Sequence, residues 1–146
     1  MKIYLDVCCL NRPYDDQSQL RIRLESEAVV LILSAVEQRH HELITGEALD
    51  LENGNSPNDE RRRRVRDTLR LAKHVVVVDA EAAARAMQLV SNGFGAYDAL
   101  HIASAEAGGA AVLLTTDDGL IRKARSYRGL RVRVCNPLEW IREGNE

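Results

Sequence analysis

The chain has 146 residues, of which 45% are hydrophobic, 29% charged and 4% aromatic, and its net charge is −2. This composition predicts one soluble globular domain, residues 1–146, with an aliphatic core, and it excludes a surface that is basic throughout. The longest apolar stretch, residues 28–36, is too short to span a membrane, and MKIYLD lacks the apolar run of a signal peptide, so we expect a cytoplasmic protein with no membrane partner.

The first half of the chain alternates between strand and helix patterns. KIYLD predicts a strand that ends at Asp6, and the Asn, Pro and Asp residues that follow predict a loop over residues 7–19. Apolar residues at helical spacing predict a long helix over residues 19–39. HELIT at 41–45 predicts a second strand, and EALDLENG predicts a helix that ends at Gly54.

The second half continues the alternation. ERRRRVRDTLRLAKH, residues 60–74, predicts a basic helix, and VVVV at 75–78 has the clearest composition of a buried strand. The remaining predicted elements are helices over 80–91 and 96–108, a strand over 110–116, a helix over 120–127, a strand over 131–135 and a closing helix over 136–144.

Alternation of this kind, with several uninterrupted apolar strands, is typical of a parallel sheet covered by helices on both faces. We therefore predict an α/β fold, a three-layer α/β/α sandwich with a central, mostly parallel sheet of about four to five strands. Ligands of such sheets bind beyond the carboxyl ends of the strands. Asp6 and Asp117 both follow predicted strands, so we expect them at this edge.

Further acids are predicted near the same edge. Asp98 lies in the first turn of a helix whose neighbouring residues are small or apolar, and Glu47 and Glu52 are candidates for a fourth acid. Carboxylates that approach one another repel unless a cation enters. Because the donors are hard oxygen ligands, with neither paired Cys nor paired His, they favour Mg²⁺ or Mn²⁺ over zinc. The pattern indicates metal-assisted hydrolysis of a phosphodiester.

An ordinary structural role is the alternative for each of these acids. A single Asp at a strand end or helix start commonly caps a helix or shapes a turn. Asp118 fits this role as the cap of the helix that follows it, which leaves Asp117 to face the ion. The joint pattern of three acids favours a site over three unrelated caps.

The three cysteines predict no covalent or zinc framework. Cys8, Cys9 and Cys135 form no CxxC pair and are odd in number. We expect them to be buried small apolar groups.

Four segments together resemble the PIN domain family: IYLDVCCLN, LITGEALDLE, YDALHIASAE and LLTTDDGLIRKA. The resemblance implies an α/β/α sandwich and a metal-dependent ribonuclease of the kind found as toxins in bacterial toxin–antitoxin pairs. It also implies four catalytic acids, Asp6, Glu52, Asp98 and Asp117, of which Asp6, Asp98 and Asp117 are the metal ligands. We prefer Glu52 to Glu47 because it lies further along its segment from Thr45, as the family's second acid does.

One position departs from the family pattern. Many members place a small hydroxyl or amide residue two positions after the first acid, where it helps to hold a metal-bound water, and here Cys8 stands there. Asn11 or the backbone is the substitute available nearby.

Several side chains close to the acids are candidates for binding substrate. They are Arg12, Thr115, Thr116, Arg122 and Lys123. The run RRRRVR at 61–66 offers planar guanidinium groups to a phosphate backbone, although a solvated helix face is the more usual role of such a run. His101 follows Asp98 by three residues on the same helix face and is either a neighbour of the site or a core histidine.

We therefore expect an endoribonuclease that uses Mg²⁺ or Mn²⁺ to cut single-stranded RNA, with an antitoxin protein and a second copy of the chain as further partners. The alternative is a catalytically inactive RNA- or protein-binding module of the same fold, which Cys8 favours. A phosphoacceptor domain of the receiver type is disfavoured. It requires a pair of acids at the first strand and a lysine after a late strand, where this chain has Leu5 before Asp6 and Cys135.

Overall fold

The computed structural model describes residues 1–145 and contains five strands and eight α-helices in these residues. The strands are β1 (Lys2–Leu5), β2 (Glu42–Gly46), β3 (His74–Val76), β4 (Val112–Leu114) and β5 (Arg133–Cys135). The helices are α1 (Val7–Asn11), α2 (Leu20–Glu37), α3 (Glu47–Gly54), α4 (Asp59–Leu69), α5 (Ala80–Ser91), α6 (Ala96–Ala107), α7 (Asp118–Ser126) and α8 (Pro137–Arg142). A short 3-10 turn, Arg12–Tyr14, follows α1.

All five strands are parallel and lie in the order β3-β2-β1-β4-β5, which confirms the predicted α/β architecture. The chain runs outward from β1 through β2 to β3 and then crosses back to β4. Right-handed crossovers therefore carry the helices of the first half over one face and α5 to α7 over the other. The direction of winding reverses between β1 and β4, and ligands of open parallel sheets bind at such a reversal.

The core is built from the central strands, as the aliphatic composition predicts. Tyr4, Leu5, Ile44 and Leu114 are fully buried, and Trp140 of α8 closes one side. Both flanking layers are held by helix pairs, since α5 packs along α6 and α2 packs against α8. The core thus fixes the carboxyl ends of β1 and β4 as rigid neighbours.

Two local predictions were wrong. VVVV is not a buried strand, because β3 lies at the edge of the sheet with β2 as its partner, and the side chains of Val75 and Val77 are 72% and 59% exposed. Residues 7–19 are not all loop, because Asp6 directly follows β1 and caps α1 by accepting a hydrogen bond from the backbone nitrogen of Cys9. The cap provides an acceptor for a backbone N–H of the first turn that has no partner within the helix. The helix can therefore begin directly after the strand.

Some strands and helices are shorter than predicted. The strand predicted over 110–116 is formed by Val112–Leu114, and the basic helix ends at Leu69 rather than at residue 74. Asp79 caps α5, as the sequence indicates. Among the described residues, no helix is both long and apolar enough to cross a bilayer.

Candidate active site

Asp6 lies at the centre of the sheet's carboxyl edge. Leu5 pairs with Leu114 in the sheet, and the backbone nitrogen of Asp6 donates to the carbonyl of Leu114 at 3.2 Å. The Asp6 side chain is buried, and its Oδ1 accepts from the backbone nitrogen of Cys9 at 3.0 Å and from the thiol of Cys8 at 2.9 Å. Burial is the main cause that raises the pKa of the Asp6 carboxyl well above its ordinary value.

Asp117 follows β4 at the same edge. Its Oδ1 accepts from the backbone nitrogen of Leu120 at 3.1 Å, so Asp117 is the cap of α7. The sequence predicted that Asp117 faces the ion and that Asp118 caps the next helix. The second part of this prediction was wrong, because Asp118 is not the cap. Asp118 is the first residue of α7, and both of its oxygens accept from the guanidinium of Arg21, at 2.7 and 2.9 Å.

Asp98 faces these residues from the first turn of α6. It is half-buried, and its pKa is raised first by desolvation and then by the negative charge of Asp117, with a further contribution from Glu52. Carboxylates act on one another in this way only at short range. The charges of Asp117, Glu52 and Cys8 all act on Asp98, so residues from α1, α3, α6 and the end of β4 lie in one region of the molecule.

Glu52 is held by a chain of two buried side chains. Nε2 of His101 lies 3.1 Å from Oε1 of Glu52, and Nδ1 of His101 lies 2.6 Å from the hydroxyl of Tyr4. Burial, followed by the charges of Asp6 and Glu52, raises the pKa of Tyr4, so the phenol stays protonated and donates a hydrogen bond to Nδ1. Nε2 then carries the N–H of the imidazole ring and donates a hydrogen bond to Glu52.

Glu47, the rival for the second acid, lies elsewhere. It is exposed at the start of α3 and lines a surface groove of about 360 Å³ together with Leu51, Val78 and Leu100. Glu52 is the acid of this segment that contacts His101 and acts on Asp98. The sequence could not show the link from Tyr4, although a tyrosine in a fully buried strand needs a hydrogen-bond partner, and that is a usable signal.

Two threonines and a cysteine line the floor between Asp6 and Asp117. Thr115 is fully buried, and its Oγ1 accepts from the backbone nitrogen of Asp117 at 3.1 Å. Sγ of Cys8 lies 3.4 Å from this Oγ1 and accepts from the backbone nitrogen of Thr116 at 3.4 Å. Cys9 and Cys135 are buried as predicted, whereas Cys8 is partly exposed, so the expectation of a buried apolar group was wrong for Cys8.

The predicted basic residues differ in what they contact. Arg12 donates to Glu25 at 2.8 and 3.0 Å and to Asp15 at 3.1 Å, and the amine of Lys123 contacts the carbonyl of Gly93. Arg122 is exposed on α7. Sequence reasoning missed Arg21, whose guanidinium reaches the carbonyl of Thr116 at 3.2 Å across the edge of the site.

The run at 61–66 is largely engaged within the protein. Arg61 donates to Asp15 at 2.6 Å and to the carbonyl of Tyr14 at 2.9 Å, and the guanidinium of Arg64 lies 4.5 Å from the centre of the Tyr14 ring. These contacts tie α4 to the turn after α1. The run is therefore in part a structural clamp.

The donor set suits a divalent cation. Across residues 1–145, the group of potential ligand atoms that lie within 4.8 Å of one another is formed by Asp6, Cys8 and Cys9. The carboxylates of Asp98 and Asp117 are not part of that group. A buried carboxylate and an acid under like-charge repulsion are both relieved by a cation, so these residues fit a divalent cation.

Comparisons with known proteins show the family and the fold. The model of the PIN domain family matches residues 3–126. The fold is similar to the crystal structure of VapBC2 from Rickettsia felis bound to a DNA fragment from their promoter, with a TM-score of 0.60 and 14% identity over 93% of this chain and 98% of that one. It is also similar to PAE2754 from Pyrobaculum aerophilum, with a TM-score of 0.58 and 18% identity over 100% of this chain and 91% of that one.

No curated protein matches the sequence. PIN domains are generally nucleases and typically use divalent metals. Since the family model spans far more than half of the chain, the protein belongs to the PIN domain family.

Proposed function

We propose that the protein is a metal-dependent endoribonuclease that hydrolyses phosphodiester bonds of single-stranded RNA. The observation that carries the proposal is the match of the PIN domain family model to residues 3–126, and the raised pKa of Asp98, to which the charges of Asp117 and Glu52 contribute, supports it. Repulsion of this kind costs stability, and it is retained where a cation or a reaction uses it.

The residues have separate roles in this proposal. Asp6, Asp98 and Asp117 would hold Mg²⁺ or Mn²⁺, which supplies a nucleophilic hydroxide and stabilises charge on the phosphate. Glu52, which the hydrogen bond from His101 orients, positions the attacking water as the fourth catalytic acid.

Other side chains would contact the substrate. Of the two threonines between the acids, Thr116 is the better candidate, because Thr115 is fully buried and its hydroxyl accepts from the backbone nitrogen of Asp117. Arg122 is better suited than Arg12 to bind a phosphate, because the guanidinium of Arg12 already pairs with Glu25 and Asp15. Lys123 would have to leave the carbonyl of Gly93 to reach RNA.

A cleavage assay tests the proposal. Single-stranded RNA of mixed sequence is incubated with the native chain and with Asp98→Asn, in Mg²⁺, in Mn²⁺ or in EDTA. We expect cleavage that EDTA abolishes and that Asp98→Asn lowers by more than about 100-fold, the upper end of the loss seen when even an outer-shell partner of a metal is removed. Asp67→Asn, an exposed acid on α4, is the matched control.

The rival function is a catalytically inactive module that binds RNA or protein. The observation that favours it is the thiol of Cys8 where many family members carry a hydroxyl or amide. Such a module retains RNA in a binding assay, produces no fragments and is unaffected by Mn²⁺. Cleavage that is insensitive to EDTA and to Asp98→Asn would contradict both functions.

The proposed partners and location follow from the same assignment. The VapBC2 neighbour is a toxin–antitoxin complex, which supports an antitoxin protein as a partner of this chain. Co-purification with the product of an adjacent gene tests this partner. RNA as substrate, a second copy of the chain as partner and a cytoplasmic location stay predictions.

A further inference from the structure

Cys8 differs from the other two thiols in its position relative to the acids. It lies in α1, two residues after Asp6, and is partly exposed, whereas Cys9 and Cys135 are buried. Its Sγ is 2.9 Å from Oδ1 of Asp6. At this distance one cation could contact both the sulfur and the carboxylate oxygen, and a cysteine binds a metal as the thiolate.

The contacts of Cys8 place its sulfur between Asp6 and the end of the neighbouring strand β4. The backbone nitrogen of Thr116 donates to Sγ, and Oγ1 of Thr115 lies 3.4 Å from Sγ. Sγ of Cys8 and a carboxylate oxygen of Asp6 belong to the group of potential ligand atoms in residues 1–145 that lie within 4.8 Å of one another.

We propose that Cys8 is a direct ligand of the metal site and that its sulfur raises the affinity of the site for thiophilic divalent ions, Co²⁺, Zn²⁺ and Cd²⁺, relative to Mg²⁺ and Mn²⁺. Carboxylate and water ligands suit Mg²⁺ and Mn²⁺, while a cysteine sulfur favours softer ions. A site with one thiol among carboxylates holds both kinds of ion, and the softer ions displace Mg²⁺. The Cys8 proton passes to solvent when such an ion binds.

The inference deepens the proposed nuclease function, because it concerns the same metal site. It differs from that function in what it requires, since it concerns binding of the ion and not cleavage. A protein that binds Co²⁺ through sulfur and cuts no RNA would refute the nuclease and leave this proposal standing. A nuclease whose metal never contacts sulfur would refute this proposal and leave the nuclease function standing.

Absorption spectroscopy with Co²⁺ gives a direct test. A cobalt–thiolate bond produces an intense charge-transfer band in the near ultraviolet, which carboxylate ligands alone do not give. We expect the band when Co²⁺ is added to the metal-free native chain, to Cys9→Ser and to Cys135→Ser, and its loss in Cys8→Ser. Absence of the band from the native chain, or its persistence in Cys8→Ser, would overturn the proposal.

Titration calorimetry measures the selectivity itself. We expect Cys8→Ser to weaken Cd²⁺ binding by more than about tenfold, the lower bound for loss of an outer-shell partner, and to change Mn²⁺ binding by less than that. Equal losses for the two ions would contradict the proposal. Serine keeps a small hydroxyl at the position, so the variant removes the sulfur and little else.

A third measurement needs no variant and covers the case in which Cys8→Ser fails to fold. The native chain is alkylated with iodoacetamide, and the modified cysteine is located by peptide mass. We expect modification at the partly exposed Cys8, and we expect Cd²⁺ to slow it markedly, because a sulfur bound to the ion is not free to attack the reagent. Unchanged modification of Cys8 in saturating Cd²⁺ would overturn the proposal.

Discussion

The carboxyl ends of β1 and β4 carry the same local motif in different surroundings. Each strand leads to an aspartate that caps the next helix, Asp6 through the amide of Cys9 and Asp117 through the amide of Leu120. Asp6 is only 6% exposed, however, whereas Asp117 faces solvent. The cap fixes where each carboxylate lies, and burial decides how strongly its charge needs a partner.

The largest expected loss of RNA cleavage comes from removing the negative charge of the two capping residues, Asp6 and Asp117. Asp6→Asn and Asp117→Asn both keep a good N-cap residue, so α1 and α7 should stay folded while the charge is lost. We expect each variant to lose more than about 100-fold in metal-dependent RNA cleavage, because each removes a proposed ligand. Rates of fragment formation in Mg²⁺ and Mn²⁺ measure the loss.

Asp118→Asn is the matched control for Asp117→Asn. Asp118 is adjacent, exposed and paired with Arg21, so its loss should cost cleavage only a few-fold, as expected of a surface ion pair. Equal losses for Asp117→Asn and Asp118→Asn would show that the doubled aspartate is not divided between the site and the surface.

An intermediate effect is expected from the chain that holds Glu52. Tyr4→Phe removes the hydroxyl that donates to His101 and leaves a buried ring nitrogen without its partner. We expect the free energy of unfolding to fall by about 1–3 kcal/mol and cleavage to fall by about 10–100-fold. Urea unfolding and RNA cleavage provide the two readouts.

Tyr14→Phe is the control for this pair of effects, because it keeps the ring that contacts Arg64 and lies away from Glu52. If Tyr14→Phe and Tyr4→Phe have the same effect on cleavage, then the hydrogen bonds from Tyr4 through His101 do not position Glu52. His101→Gln, which retains a donor, should recover part of the activity that His101→Phe loses.

The smallest effect is a difference in how stability depends on pH. Because burial raises the pKa of Asp6, the folded chain keeps a proton that the unfolded chain releases near pH 4. Its contribution is thus fully present below about pH 4 and is lost as the pH rises through the folded pKa. Asp6→Asn should remove this loss of stability with rising pH. For one titrating group, the free energy of unfolding cannot change by more than about 1.4 kcal/mol per pH unit.

Asp118 provides the opposite sign for comparison. The guanidinium of Arg21 lowers the pKa of Asp118, so its contribution is present above the unfolded pKa and is lost as the pH falls. Urea unfolding in EDTA from pH 3 to pH 8 is the measurement. Native and Asp6→Asn curves that stay parallel would contradict the assigned burial of Asp6.

The predictable part of the molecule is the part that depends on local pattern. The alternation of apolar strands with amphipathic helices was enough to give a parallel sheet, and it brought Asp6 and Asp117 to one edge because both follow strands. The position of Asp98 followed from its place in the first turn of α6. These inferences need only the periodicity of the elements and the rule for ligand position in open sheets.

The unpredictable part depends on contacts between distant segments. VVVV has the composition of a buried strand, and only the order of the sheet shows that β3 is at the edge. The contact of Tyr4 with His101 joins β1 to α6, and no local pattern encodes it. The start of α1 was missed because Asn, Pro and Asp further along the segment outweighed the capping signal of Asp6.

The strand order has a consequence for how the protein is made. During synthesis β1, β2 and β3 emerge first and can associate, but the position on the other side of β1 stays vacant until Val112–Leu114 has left the ribosome. The proposed metal site is consequently completed late, by the insertion of β4. A nascent or truncated chain that lacks this strand holds Asp6 without Asp117 nearby and has no assembled site.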